Sequence, residues 1–424
     1  MKRALVISVT VALVLAIFFG VFPSFLAQAS DEFKTHVDLP VNSEGTLNGA
    51  NYTIRVPANW NGTLLVYAHG YLEELQTPPI DAAPGGAFGE SILLSMGYAV
   101  AGTANRNAGW GVKEGIRNTL ALTQFFKGHV SRPKYIILWG FSMGSVIALE
   151  SIEKYPGIYD GAIAGAGLAA GAPLNFDQSL ALSLAYDVIF GWPESWGSVG
   201  DVRDDLDFDT EVLPLLPNPL SPANGSKFEF IRRVIKLPPE VNAIVPFWLF
   251  TDMFYATQVR GELEQRAGGP VAQNLDHVYT LTAEDIAVLA DLEIDAPALL
   301  ALMNARTNIQ ASVPARKYLE RYADFTGDLT RPVITIHTRV DELVRVANQS
   351  VYRRLVQAAG KEDMLIQLFT DAVGHGNFTA PQLLQTVAAM EIWLNTGVKP
   401  PPGFFPPALG FIPLAPPPWP FVQQ

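Results

Sequence analysis

Short apolar or β-branched runs alternate with stretches whose apolar residues recur at helical spacing through the first half of the chain. Tyr52 to Val56, Thr63 to Ala68, Tyr98 to Gly102, Tyr135 to Trp139 and Gly161 to Gly165 read as strands. Ala87 to Met96, Val112 to Phe126 and Ser145 to Tyr155 read as the helices between them. Such alternation predicts βαβ units and a mostly parallel sheet flanked by helices. The rhythm breaks between about Ala172 and Leu329, where Trp, Phe, Leu and Pro are abundant. Helical segments are expected there near Phe176 to Phe190, Phe247 to Arg266, Ala283 to Leu292 and Ala298 to Asn308. It returns with strand Val333 to His337, helix Leu343 to Ala359, strand Met364 to Leu368 and helix Pro381 to Asn395.

A sheet that is interrupted and later resumed implies an inserted unit. The expected organisation is therefore a core made of residues 30–171 and 330–398, with a large, mainly helical cap across 172–329. Residues 399–424 hold ten prolines together with Phe404, Phe405, Phe411, Trp419 and Phe421. That tail is expected to be extended or polyproline-like, and its aromatics point to packing on the body.

At the other end, Lys2 and Arg3 precede an apolar run from Ala4 to Phe22, and Ala27-Gln28-Ala29 offers small residues at a cleavable spacing. A signal peptide over residues 1–29 is expected, with an uncleaved N-terminal anchor as the alternative. Either places the body of the protein outside the cytoplasm, secreted or facing outward. No second run is long and uncharged enough to span a bilayer.

With 424 residues, 49% hydrophobic and 17% charged, the chain can build one large core or two ordinary ones. Its 29 basic residues against 41 acidic ones give a formal charge of −12, which repels phosphate backbones and argues against nucleic acid as a partner. Cysteine is absent, so disulfides, thiolate catalysis and thiolate metal sites are excluded.

Gly140-Phe141-Ser142-Met143-Gly144 follows an apolar strand and opens a helix. This is the G-x-S-x-G pattern in the setting it needs: Ser142 on a sharp, strained turn, with Gly140 and Gly144 nearly free of side chain on either side. An ordinary turn with serine capping the helix is the bland alternative. A serine hydroxyl needs a general base. Of six histidines, His375 lies in a loop between the last expected strand and helix, with Gly374 and Gly376 beside it. Asp341 stands just past the strand before that unit and is suited to hold the imidazole tautomer, with Glu342 and Asp371 as substitutes. The chain order Ser, Asp, His is the one that accompanies this elbow. Leu64 to Ala68 followed by His69-Gly70-Tyr71 supplies a second loop. The backbone N–H groups of Met143 and Tyr71 are the expected oxyanion donors, and His69 is expected to brace that loop rather than bind a metal.

Together these segments resemble the α/β-hydrolase superfamily, above all its secreted, lid-bearing serine esterases and lipases, with an aminopeptidase-like branch. The resemblance runs from Trp60-Asn61-Gly62-Thr63 and His69-Gly70-Tyr71 through Gly97-Tyr98-Ala99-Val100-Ala101, Gly140 to Gly144 and Tyr159-Asp160-Gly161-Ala162 to Asp341 and His375. It implies serine hydrolysis by a Ser142, His375, Asp341 triad through an acyl-enzyme, with no cofactor and no metal. Tyr71 departs from the further glycine that many lipases carry at this place.

Two patterns point elsewhere and fail. Gly165 to Ala170 fits the dinucleotide fingerprint, but Ala172 and Pro173 are expected to cut off the helix that would receive a pyrophosphate. Asp204 to Asp209 resembles a calcium loop, but Thr210 and Leu216 replace its required glycine and glutamate. The expected substrate is a small or lipid-like carboxylic ester with an apolar part. Phe190, Trp192, Trp196, Phe247, Trp248, Phe250, Phe254 and Tyr255 enrich the cap in aromatics, unless they are its own core. The alternatives are a serine peptidase whose cap acids Asp204, Asp205 or Glu262 bind a peptide terminus, and a non-catalytic binding protein on the same scaffold.

Overall fold

The computed structural model describes residues 37–244 and 248–421; the expected signal peptide, His36 and Phe247 lie outside them. One sheet runs in the order β1 (Val41–Leu47), β2 (Ala50–Val56), β4 (Ala99–Thr103), β3 (Thr63–Ala68), β5 (Tyr135–Phe141), β6 (Gly161–Gly165), β9 (Val333–Val340), β10 (Leu365–Val373) and β11 (Phe411–Ile412). From β4 to β10 every neighbouring pair is parallel. The β1–β2, β2–β4 and β10–β11 pairs are antiparallel. A two-stranded ribbon, β7 (Gly197–Ser198) and β8 (Asp201–Val202), lies in the cap.

The central strands are continuous apolar runs because helices cover both faces. Leu64, Val66 and Leu138 pack with Ile116, Phe126, Val146 and Leu149 of the helices Val112–His129 and Met143–Lys154. Leu65, Val100, Ile137 and Ile163 pack on the opposite face with Leu93, Met390 and Trp393 of Gly86–Ser95 and Ala380–Thr396. The expected mixed α/β architecture with a helical insertion is thus present. The last helix is set by local chemistry: Thr379 and Gln382 form a capping box, and Gly397 at φ +69° ends it.

Between β6 and β9 the chain is helical, with Gly171–Phe190, Pro222–Val234, Trp248–Phe254, Arg260–Ala267, Ala283–Asp291, Ala296–Asn304 and Val313–Tyr322 as its main elements. Trp196 is fully buried against Tyr186 and Trp192, and Phe190 packs on Tyr186 and Phe228. These rings fill the cap's own interior. Arg260 and Glu264 form a fully buried ion pair, and the guanidinium also donates to the Val199 and Gly200 carbonyls.

The sequence expectation departs from the fold at several places, and the helices Pro222–Val234 and Val313–Tyr322 lie outside every segment expected to be helical. The helix Gly171–Phe190 starts directly after Ala170, although Pro173 was expected to prevent it. Proline is tolerated in a first turn, where its missing N–H needs no partner. Residues 343–347, expected to be helical, form a turn, and the helix begins at Asn348. β1 and β11 carry no signal strong enough to be read in advance.

The Pro-rich tail, expected to be extended, holds two short 3-10 turns, Pro402–Phe404 and Pro407–Leu409, and it is anchored. Thr370 pairs with Phe411 and Phe369 with Ile412. Phe405 and Phe411 are buried in the second face of the core, and Trp419 packs on Ala170, Ala347 and Val351. Farther on, Phe421 stacks on His277 of the cap at 5.6 Å, and its carbonyl accepts the Val278 N–H.

Candidate active site

The parallel strands fan out in opposite directions from β3, which lies between β4 and β5, so the sheet has its topological switch there. In open α/β sheets, ligands gather outside the carboxyl ends of the strands at that crevice. The ends of β3, β5, β9 and β10 deliver His69-Gly70-Tyr71, Ser142, Asp341 and His375 to that edge.

Ser142 joins β5 to the helix Met143–Lys154 at φ +56° and ψ −126°, a conformation that residues with a Cβ rarely hold. The turn is locked from below: the Ser142 N–H bonds to the Gly165 carbonyl at 3.0 Å, and the Ser145 N–H to the Ser142 carbonyl at 2.9 Å. The tightness explains the glycines. A Cβ on Gly140 would lie 2.0 Å from the Gly144 carbonyl oxygen, and one on Gly144 would lie 2.0 Å from that of Ala68. Backbone cannot retreat from such contacts cheaply. Gly144→Ala is expected to cost more than about 4 kcal/mol and lower Tm by about 10 °C or more. Thermal denaturation checks this, and a shift under about 3 °C would contradict the elbow packing.

At the same edge, His375 Nδ1 lies 2.9 Å from Asp341 Oδ2. A carboxylate only accepts, so Nδ1 carries the proton and Nε2 is left as a free base. The Asp341 Oδ1 takes the N–H groups of Leu343 and Val344 at 3.0 and 2.7 Å. It therefore caps the turn and orients the ring at once. A shift of register between Thr370 and Val373 bends β10 just before this point. The Gly374 N–H bonds to the Val340 carbonyl, Thr338 Oγ1 to that of Gly374, and Gly374 and Gly376 both take positive φ.

Burial alone would lower the His375 pKa, but the charge and hydrogen bond of Asp341, with Glu342 nearby, raise it above the ordinary imidazole value. Burial would raise Asp341; the charge and hydrogen bond of His375, then His337 and the Val344 N–H, hold it below the usual carboxylate range. The His375 side chain keeps 21% exposure, enough for a reactant to reach it. The loop of His375 meets the elbow through Phe378 against Phe141, and its Gly376 stands against Ala166, just past β6. Among the described residues no hydrogen bond joins Ser142 Oγ to His375.

The second loop stands over the nucleophile. A Cβ on Gly70 would lie 3.4 Å from Ser142 Cβ and 4.0 Å from Oγ. His69 braces the peptide between Gly70 and Tyr71: its Nδ1 donates to the Gly70 carbonyl at 2.6 Å, and its Nε2 accepts the Asn105 N–H at 3.3 Å. Burial keeps this ring below its ordinary pKa and neutral. In a trans peptide, a carbonyl held on one side turns the next N–H to the other. The Met143 N–H, first of its helix, belongs to the terminal amides that lack an intrahelical partner. Met143 follows Ser142 in the chain, and Gly70, which precedes Tyr71, stands against the Ser142 side chain.

Three features escaped the sequence. His337 is fully buried with Nε2 4.0 Å from Asp341 Oδ2. Asp252 of the cap pairs with Arg345 at 2.7 Å, and burial pushes its carboxyl up to about 6 despite the guanidinium. Glu262, considered as a terminus-binding acid, accepts the Tyr71 hydroxyl instead, while Asp204 and Asp205 lie on the surface. Only the strand ends could have suggested His337, and nothing local marks the two cap carboxylates as partners of the core.

No family model matches the chain. The o-phthalyl amidase of Xanthobacter agilis is 23% identical over 414 residues, taking in 83% of this chain and 87% of that protein. Among solved structures, an esterase from Aspergillus oryzae is 15% identical with a TM-score of 0.38, covering 85% of this chain and 80% of its own. Dipeptidyl peptidase 4 of Porphyromonas gingivalis is 11% identical with a TM-score of 0.40 over 84% of this chain, which spans 35% of that longer protein.

Proposed function

We propose that this chain, a hydrolase of the α/β-hydrolase fold, cleaves carboxylic esters with Ser142 as nucleophile, His375 as base and Asp341 as orienting acid. The observation that carries the reading is the strained Ser142 turn sharing one sheet edge with the His375–Asp341 pair. His375 Nε2 takes the proton of Ser142 Oγ as the oxygen bonds to the substrate carbonyl carbon. The N–H groups of Met143 and Tyr71 hold the oxyanion; the imidazolium then protonates the departing alcohol as the C–O bond breaks. Water, deprotonated by the same ring, releases the acid and restores the serine. Each oxyanion donor contributes about 2.7 to 4 kcal/mol to the transition state.

Amide hydrolysis is the second reading, supported by the amidase likeness. An apolar acyl or alcohol part is supported by Phe254 and Tyr255, which link the cap residues Phe208 and Phe176 to Tyr71 and Trp110 of the core. Placement outside the cytoplasm rests on the N-terminal sequence. Among the described residues no helix is long and apolar enough to cross a membrane.

The test is labelling with a fluorophosphonate, mapped by peptide mass spectrometry, followed by matched ester and amide chromogenic substrates. Modification of Ser142 with ester turnover exceeding amide turnover is expected. A labelled enzyme that prefers amides would transfer the assignment to the second reading, and an unlabelled Ser142 would leave a non-catalytic scaffold.

A further inference from the structure

The cap reaches the oxyanion loop along one helix. Trp248–Phe254, Tyr255–Val259 and Arg260–Ala267 follow one another directly, and the middle piece is a π turn. Such turns are rare and recur at functional sites. Three side chains from this run converge on Tyr71. The Phe254 ring stands edge-on at 5.5 Å, Gln258 Nε2 donates to the Tyr71 hydroxyl at 3.4 Å, and that hydroxyl donates to Glu262 Oε1 at 2.9 Å.

The other oxygen of Glu262 accepts the Trp110 N–H at 3.2 Å. Gly109 lets it in: a Cβ there would lie 2.2 Å from Oε2. The two core loops are themselves tied by the Gly109 N–H on the Leu72 carbonyl at 2.7 Å. Each carboxylate oxygen of Glu262 therefore holds one donor of the core. Packing on Phe254 would be served as well by phenylalanine at position 71. A half-buried hydroxyl is retained at a desolvation cost that only its partners offset.

We propose that Glu262 is a positioning residue: by holding the Tyr71 hydroxyl it fixes the Gly70–Tyr71 peptide from the cap side, as His69 fixes it from the core side. The inference rests on the serine hydrolase reading of Ser142. Its consequence is that the oxyanion donor is in register only while this cap helix is seated. Small displacements of such a donor cost rate rather than ground-state affinity, because the charge it meets develops in the transition state.

The experiment compares Tyr71→Phe, Glu262→Leu, Glu262→Gln and the double variant Tyr71→Phe with Glu262→Leu in the full chain, on the best ester of the panel. Tyr71→Phe and Glu262→Leu are expected to lower kcat about 10- to 100-fold with KM within about twofold. Glutamine, which still offers an acceptor oxygen, should restore kcat to within about threefold of wild type, and the double variant should be no slower than Glu262→Leu. Affinity for a phenylboronic acid, which forms a tetrahedral adduct on a serine, should weaken by the same factor as kcat/KM falls.

If Glu262→Leu does not fold, Tyr71→Phe decides, since it removes one oxygen and keeps the ring. A folded Tyr71→Phe with kcat within twofold of wild type, a loss confined to KM, or losses that multiply in the double variant would overturn the inference. Wild-type labelling separates the two levels. An unlabelled Ser142 overturns the hydrolase reading and this inference with it, whereas a labelled Ser142 with an indifferent Tyr71→Phe overturns only the latter.

Discussion

Replacing Ser142 by alanine is expected to lower kcat by about 10⁵- to 10⁶-fold on any ester the wild type turns over. Without the oxygen no acyl-enzyme forms, and what remains is the smaller effect of the two N–H donors and substrate binding. The fold should survive, because alanine and serine meet the same backbone penalty at φ +56° and ψ −126°. Ser142→Gly separates chemistry from strain. It should be equally inactive yet more stable than Ser142→Ala by about 1 kcal/mol, since glycine occupies this region without a Cβ clash. Active-site titration, initial rates and thermal melts on the three proteins check the pair of outcomes. A loss under about 100-fold would remove Ser142 as nucleophile.

Asp341→Asn should cost about 10⁴-fold in kcat. Asparagine can keep its oxygen on the Leu343 and Val344 N–H groups, so the turn is retained. Its amide then presents a donor to His375 Nδ1, where the wild type presents an acceptor. The ring must move its proton to Nε2, the atom that has to receive the proton of Ser142. The pH profile carries a second signature. The base works only when neutral, and in the wild type its pKa is raised, so kcat/KM should fall as pH drops through a value above about 6.5. In the asparagine variant burial is opposed by Glu342 alone, and the acid limb of the residual activity should move down. An unchanged limb would mean that His375 is not the titrating base.

Much of this arrangement could be read from the chain because it is local. Gly140 to Gly144 name their own turn, and the apolar runs of β3, β5 and β6 are long enough to mark strands buried on both faces. His375 could be chosen because glycines flank it, and the same two glycines do adopt positive φ. What stayed hidden depends on distant partners. Nothing near Glu262 in sequence announces a tyrosine hydroxyl 191 residues away, and nothing near Asp252 announces Arg345. Trp192 and Trp196 looked like substrate contacts by composition, yet they pack on each other at 5.1 Å inside the cap, a choice only tertiary packing makes. Pro173 misled for a different reason: its effect depends on helix position, and it sits in a first turn.

The pairing of Phe411 and Ile412 with Thr370 and Phe369 has a bearing on how the protein is made. Until that short stretch docks, β10 presents a row of unused N–H and C=O groups at the sheet border, flanked by the buried Phe369 and Leu368. Such a border is a template for another molecule's strand. A growing polypeptide, or one clipped by a protease near Lys399, would thus be prone to self-association although Ser142, Asp341 and His375 are already present.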